Sequence, residues 1–233
     1  MLQLVYSPRW FYGKDIVIDI VSIVVLLCVA WFSLKYYRIN KRNKNYLLLC
    51  FGFGLMALGF LFKIITNFTI YYYVLETRHL GFITLTYSVL RASNILFFVG
   101  FLMYRILMLI GLYILYSIYI KQSRISVAIM VYLITVLTYF SRNAYYVFHI
   151  TSLMLLCAIT WQYYVNFTKT RNLATKTLLF SFTIITLSQL LFVFVGLSQT
   201  LYVVAELIQL LGYLGLFLTL MRTLKDGKKK RKE

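Results

Sequence analysis

Seven polar or charged side chains lie inside the long apolar stretches of this sequence, where their types could do chemistry. They are Asp19, Lys63, Arg105, His149, Gln189, Glu206 and Gln209. A charged side chain at the centre of a bilayer costs roughly 2.5–3.5 kcal/mol on insertion scales, so such residues are candidates for function. We expect them to form a polar site that accepts a small ligand or a polar group of a partner protein.

Charges of opposite sign at similar predicted depth suggest two ion pairs. Asp19 is expected to pair with Lys63, and Arg105 with Glu206. Two interpretations of these residues stay open. In one, they only tie helices together or extend to the bilayer surface. In the other, they line a pocket that faces outward, because nearly all of them fall in the outer half of the predicted bilayer.

The elements that hold these residues are predicted to be transmembrane helices, so the fold class is all-α. The chain has 233 residues, of which 62% are hydrophobic and 13% are charged. Apolar runs of about 20 residues are long enough to cross ~30 Å of hydrocarbon as helices. Because backbone groups in lipid must pair internally, helices are the default spanning structure. We expect one transmembrane domain over 1–233, a multi-pass protein of the cell membrane. Spans are predicted near 16–36, 46–69, 97–120, 125–141, 144–166, 176–197 and 200–222.

The distribution of basic residues predicts seven spans, with the N-terminus outside and the C-terminus in the cytoplasm. Seventeen of the 24 lysines and arginines fall in four regions that share one face if there are seven spans. These regions are the turns near 35–44, 121–124 and 169–176 and the basic tail at 223–233 with Arg222 before it. Basic residues favour the cytoplasmic side. The net charge of +18 therefore indicates contact with anionic lipid headgroups and not with nucleic acid.

The stretch 82–120 is too long for one span. Charged residues, among them Glu76, Arg78 and Arg91, lie just before it and in its first part, so an extra interfacial helix is predicted on the outer side at about 74–95. An eighth span is the main alternative, and the charge distribution weighs against it.

An internal repeat is predicted between the two ends of the chain. VVLLC at 24–28 matches LMLLC at 153–157, and Arg42-Asn43 matches Arg171-Asn172, both at an offset of 129. A two-residue shift then aligns 47–51 with 178–182, which places Phe194 opposite Lys63. Leu109-Ile110-Gly111 matches Leu210-Leu211-Gly212 at an offset of 101. The prediction is a three-helix unit at 1–121 with an outer insertion at 70–95, a linker helix at 122–142, and a second three-helix unit at 143–222.

Two parallel triplets joined by one linker helix resemble SWEET and PQ-loop transporters in layout. The Pro-Gln dipeptide that marks that family is absent, since Pro8 is the only proline. The resemblance therefore implies the layout and not the transport mechanism. The predicted topology also resembles that of seven-helix receptors, without a receptor motif.

The function expected from these features is that of a non-enzymatic seven-helix membrane module, receptor-like or sensor-like, or an accessory subunit with a protein partner in the membrane. The alternative is a small-solute transporter built from the two triplets. A lipid-modifying enzyme with His149 and Glu206 as acid and base is a third hypothesis. No cofactor is expected, and no cluster with metal-ligand spacing predicts a metal site.

Overall fold

A computed structural model describes residues 7–11, 13–79, 83–120, 122–141 and 144–229, with side chains described throughout except at 9, 68–97 and 223–229. Within these ranges the chain forms seven α-helices and two short 3₁₀ helices, Arg9–Phe11 and Val195–Leu197. The α-helices are α1 (Lys14–Ile39), α2 (Asn45–His79), α3 (Ile83–Ser117), α4 (Arg124–Phe140), α5 (Tyr145–Thr170), α6 (Leu173–Val193) and α7 (Gln199–Lys229).

Five of these helices contain a stretch that is long and apolar enough to cross a membrane. These stretches are Lys14–Ile39, Asn45–Asn67, Phe98–Ser117, Leu173–Val193 and Gln199–Arg222. Two of the seven predicted spans are too short or not apolar enough to be counted with these five. Helix α4 has only 17 residues, and α5 has 26 residues but is less apolar. The described part of the chain is thus an all-helical fold with five helices of membrane-spanning character.

The outer helix predicted at about 74–95 is not a separate element. Helix α2 continues to His79 and α3 already begins at Ile83, so that stretch is divided between the ends of two 35-residue helices. Residues 80–82 lie outside the described residues. The physical reason is the lack of a helix breaker, because no proline and only one glycine, Gly81, occur between Gly59 and Gly100. The polar residues at 76–79 therefore lie within α2 and do not end it.

The helices pack mainly against their neighbours in sequence. Helix α2 lies between α1 and α3, and α6 lies between α5 and α7. These two groups of three meet where α7 packs against α1 and where α3 packs against α5. Helix α4 is peripheral, with Ile134 and Thr138 as its buried residues. This arrangement brings the first and the last long helices of the chain side by side.

An asparagine shapes the turn inside each group of three. Asn43 Oδ1 accepts a hydrogen bond of 3.1 Å from the backbone N–H of Asn45, at the start of α2. Asn172 Oδ1 accepts one of 3.2 Å from the backbone N–H of Ala174, at the start of α6. An asparagine at this position satisfies an N–H group that the helix leaves unpaired. In both turns the asparagine of the Arg-Asn match therefore accepts from the backbone N–H two residues later, although only Asn172 directly precedes its helix.

Glycines let the second and third helices of each group approach closely. A Cβ atom at Gly111 would lie 2.8 Å from the backbone oxygen of Gly52 and 2.7 Å from a side-chain carbon of Met56. A Cβ atom at Gly212 would meet the side chain of Ile185 and lie 3.2 Å from the backbone oxygen of Ser181. Small residues at such contacts are typical of helix packing in membranes. The α2–α3 and α6–α7 contacts therefore depend on these glycines.

Candidate functional site

The centre of the candidate site is an ionic cluster formed by Asp19, Lys63 and Glu206. The ammonium nitrogen of Lys63 lies 2.8 Å from Oδ1 of Asp19 and 2.7 Å from Oε1 of Glu206. The two carboxylates come from α1 and α7, and the lysine reaches them from α2. Both carboxylate side chains are buried, with 0% and 1% of their surface exposed, whereas that of Lys63 is 12% exposed. The cluster thus joins three helices and connects the two groups of three.

The two carboxylates of the ionic cluster have more acceptor oxygens than the lysine occupies. Oδ2 of Asp19 and Oε2 of Glu206 are buried and have no hydrogen-bond partner among the described residues. With all three groups ionised, two carboxylates face one ammonium, which leaves one net negative charge. An uncompensated buried charge is costly, so the second carboxylate needs either a proton or a further cation.

Asp15 lies one turn before Asp19 on α1 and has a structural role. Its Oδ1 accepts hydrogen bonds from the backbone N–H groups of Gly13 and Ile16, at the beginning of the helix. Its Oδ2 accepts a bond of 3.2 Å from the side-chain amide of Asn67 on α2. Asp15 thus fixes the start of α1 against α2 beside the ionic cluster.

The predicted pairing is confirmed for Asp19 with Lys63 and is wrong for Arg105 with Glu206. Glu206 pairs with Lys63 instead. Nη1 of Arg105 donates to the backbone oxygen of Ser141, at 2.8 Å, and to its hydroxyl. The physical reason is the order of the helices around the bundle. Helix α7 packs against α1, whereas α3 packs against α4 and α5, so Arg105 meets Ser141 at the end of α4.

His149 and Gln189 form a separate polar pair between α5 and α6. Nδ1 of His149 donates to Oε1 of Gln189 over 2.8 Å, and both residues are buried. The imidazole ring stacks on Phe192 with a centroid distance of 4.8 Å. No carboxylate of the described residues is hydrogen-bonded to His149. The acid–base pair that the lipid-enzyme hypothesis needs from His149 and Glu206 is therefore not assembled in the described part of the chain.

Gln209 bonds within its own helix. Its side-chain nitrogen donates to the hydroxyl oxygen of Tyr213, one turn later on α7, over 3.2 Å. Tyr213 is buried and its ring meets Phe60 edge-on, with centroids 5.6 Å apart. Gln209 is thus a neighbour of the site through an aromatic contact and does not join the ionic cluster.

A row of aromatic rings connects these polar groups. Lys63 lies 5.5 Å from the Phe60 ring, which is 6.3 Å from that of Tyr104. Tyr104 in turn lies 5.5 Å from Phe148, whose ring is 5.2 Å from the guanidinium carbon of Arg105. Phe148 also meets the ring of His149, with 4.9 Å between centroids. Packed aromatic rings therefore link the ionic cluster to the Arg105 and His149 pairs.

Sequence reasoning missed Ser141 and these rings. Ser141 follows the last residue of α4, and its position after an apolar run could have marked it as a helix end. With 21 tyrosines and 19 phenylalanines in the chain, no sequence signal separates Phe60, Tyr104 and Phe148 from the rest. Only the packing of the helices brings these three rings next to the polar side chains.

Comparison with known proteins adds no functional assignment. No family model, curated protein or solved structure matches this chain.

Proposed function

We propose that this chain is a non-enzymatic, seven-helix integral membrane module of the cell membrane, receptor-like or sensor-like or an accessory subunit of a membrane complex. Its N-terminus would lie outside and its C-terminus in the cytoplasm. The observation that carries the proposal is the buried cluster of Asp19, Lys63 and Glu206, with its two unpartnered carboxylate oxygens. A group of this kind is unexpected in a helix bundle that only needs to pack.

The chemistry of the cluster favours a small cation as the group that it recognises. The unpartnered oxygens of Asp19 and Glu206 are acceptors, and the cluster has one carboxylate more than it has ammonium groups. An amine of a ligand, or of a partner's side chain, would supply both the missing charge and the missing donors. Lys63 is the partly exposed member, so it marks the side from which such a group would approach.

The position of the cluster explains how binding would be sensed. Helix α7 packs against α1, and the cluster spans that contact. A cation that competes with Lys63 for either carboxylate would change the contacts that hold α7 to α1. A local change of charge at a contact with two arrangements is a common basis for switching.

The contacts within the two groups of three support the parallel repeat. Gly111 packs on Gly52 and Met56, and Gly212 packs on Ser181 and Ile185, which lie 129 positions after those two residues. The turn asparagines Asn43 and Asn172 are also 129 positions apart. These contacts favour a constant offset of 129 through the second helices over the two-residue shift. Phe192 then takes the place of Lys63 in the second unit, so the lysine of the ionic cluster has no charged counterpart there.

The transporter remains the second candidate because parallel triplets of helices occur in transporters. The packing near the basic turns favours the module. From the middle of the bundle towards the basic turns, the buried side chains are mostly apolar, and they include Phe53, Met56, Leu112, Ile159 and Phe182. A solute path would have to pass through this layer.

Hydrogen exchange of the purified protein in lipid nanodiscs tests the proposal. Methylammonium chloride is compared with sodium chloride at equal ionic strength, and exchange is followed in α1 and α7. We expect methylammonium to change exchange in both helices of the unmodified protein. The response should disappear in the variant Asp19→Asn/Glu206→Gln and persist in Asp226→Asn, an acidic residue of the basic tail.

An unchanged exchange pattern in the unmodified protein would count against a cation-sensing module. Uptake of labelled methylammonium into proteoliposomes separates the two candidate functions. Uptake that depends on Asp19 and Glu206 would replace the module by the transporter.

A further inference from the structure

Two apolar grooves open on the outer surface of the bundle. One runs between α1 and α2 and has a volume of about 760 Å³, and the other runs between α5 and α6 and has a volume of about 680 Å³. Both volumes are in the range of roughly 300–1,000 Å³ that is typical of ligand pockets. Neither groove contains a residue of the ionic cluster.

The two grooves are built at equivalent positions in the chain. Eight of the eleven residues that line the second groove lie 129 positions after a residue that lines the first. Three examples are the pairs Cys28 and Cys157, Phe51 and Phe180, and Leu58 and Leu187. The offset is the one that also relates the turn asparagines and the glycine contacts. Whatever occupies one groove is therefore expected to have a counterpart in the other.

Each groove ends near an exposed basic turn. The first groove reaches Leu34, and Arg38 lies four residues further, about 6 Å along the helix axis. Lys41, Arg42 and Lys44 follow in the exposed turn before α2. The second groove reaches Tyr164, and the exposed residues Lys169, Arg171 and Lys176 lie in and beside the turn before α6. An apolar groove with a positively charged end matches an anionic lipid, which has apolar acyl chains and a negative headgroup.

We infer that each groove binds one anionic phospholipid, with its acyl chains along the apolar lining and its phosphate beside the basic turn. The acyl chains gain burial against Leu and Phe side chains. The basic side chains of the turn attract the negative headgroup, and a zwitterionic headgroup lacks the net charge for this attraction. The two lipids would occupy equivalent positions in the two groups of three helices.

Two tryptophans report on the grooves directly. Trp31 lines the first groove and Trp161 lines the second, and each is 63% exposed. The third tryptophan, Trp10, is 60% exposed and precedes α1, at the opposite end of that helix from its basic turn. Three variants that each retain one of these tryptophans, with phenylalanine at the other two positions, separate the three signals.

The experiment measures tryptophan quenching by brominated lipids in phosphatidylcholine vesicles. Brominated phosphatidylglycerol and brominated phosphatidylcholine are compared at the same low mole fraction. We expect the anionic lipid to quench Trp31 and Trp161 at least about twofold more strongly, since the basic turns enrich it locally, and to quench Trp10 no more than the neutral lipid does.

Removing basic side chains from one turn tests whether that turn causes the preference of its groove for the anionic lipid. Arg42→Gln/Lys44→Gln should reduce the preference at Trp31 and leave it unchanged at Trp161. Lys169→Gln/Lys176→Gln should do the reverse, and Lys14→Gln at the other end of α1 should change neither. Equal quenching of Trp31 and Trp161 by the two lipids would overturn the inference. The absence of quenching by either lipid would also overturn it, because a protein segment would then cover the grooves.

Discussion

Lys63 Nζ and Glu206 Oε1 lie 2.7 Å apart, although the two residues are 143 positions apart in the chain. The contact joins the second helix of the bundle to the last one, and Asp19 on α1 completes it at 2.8 Å. Because the two buried carboxylates share one ammonium group, we expect the three side chains to contribute to stability as one unit. Removing its single cation has a different effect from removing the whole unit.

Replacing Lys63 by methionine should destabilise the protein strongly. The change leaves two buried carboxylates without their ammonium, and loss of one partner of a buried ion pair typically costs about 3–5 kcal/mol. Thermal unfolding in detergent, followed by circular dichroism, measures the effect. Lys35→Met, at an exposed position on α1, is the matched control and should be close to neutral.

The triple variant Asp19→Asn/Lys63→Met/Glu206→Gln should be more stable than Lys63→Met alone, because no charge is then left unpaired. A triple variant that is less stable than Lys63→Met would contradict this prediction. It would show that the three residues contribute to stability independently.

Adding a methyl group at Gly111 should weaken the α2–α3 contact. A Cβ atom there would lie 2.8 Å from the backbone oxygen of Gly52, which cannot move aside as a side chain can. We expect Gly111→Ala to cost about 1–3 kcal/mol, as overpacked cores do. Gly54→Ala is the control, because nothing lies within 4 Å of a Cβ atom at that helical position. Unfolding in a denaturant series compares the two, and equal stability would contradict the close contact.

His149 and Gln189 should behave as a coupled pair. Gln189→Leu leaves the buried Nδ1 of His149 without its acceptor, which typically costs about 1–3 kcal/mol. The double variant His149→Phe/Gln189→Leu removes both polar groups and keeps a ring to stack on Phe192, so it should recover much of the loss. A double-mutant cycle of unfolding free energies measures the coupling. Additive effects of the two changes would mean that the hydrogen bond contributes nothing.

Arg105 should hold the end of α4 in place. Its Nη1 donates to the backbone oxygen of Ser141, directly after that peripheral helix. We expect Arg105→Met to increase hydrogen exchange over 134–141, measured by mass spectrometry. Ser141→Ala keeps the backbone acceptor and should have a smaller effect. Unchanged exchange in Arg105→Met would show that α4 is held by its other contacts.

The C-terminus is expected on the cytoplasmic side and the N-terminus on the outer side, as seven spans and the positive-inside distribution require. Reporter fusions to the C-terminus measure this directly. A green fluorescent protein fusion should fluoresce, and an alkaline phosphatase fusion should be inactive. A dark green fluorescent protein fusion together with an active phosphatase fusion would place the C-terminus outside. With the N-terminus also outside, the number of spans would then be even.

The helices and one ion pair could be predicted from sequence because both depend on short-range information. Apolar runs of sufficient length define most spans, and Asp19 and Lys63 lie in adjacent helices at similar depth. The pairing of Glu206 with Lys63, and not with Arg105, could not be predicted. It depends on which helices become neighbours around the bundle, and apolar surfaces of similar composition do not encode that order.

The helix ends near 79 and 83 show a second limit. Glu76, Arg78 and Arg91 suggested a separate outer helix, since charged residues are costly in hydrocarbon. Helix α2, however, has 35 residues, or about 52 Å at 1.5 Å per residue, and continues well beyond ~30 Å of hydrocarbon. Composition indicates where the hydrocarbon is expected to end, but α2 continues past that point.

The contact between Lys63 and Glu206 also bears on the order in which the protein is assembled during translation. Asp19 and Lys63 are synthesised early and can enter the bilayer as a neutral pair. Glu206 follows 143 residues later, roughly 7–29 s at typical rates of synthesis. The nascent chain thus carries a balanced pair through most of its insertion. The second carboxylate joins the pair only when the last helix docks, so completion of the bundle and formation of the ionic cluster are the same event.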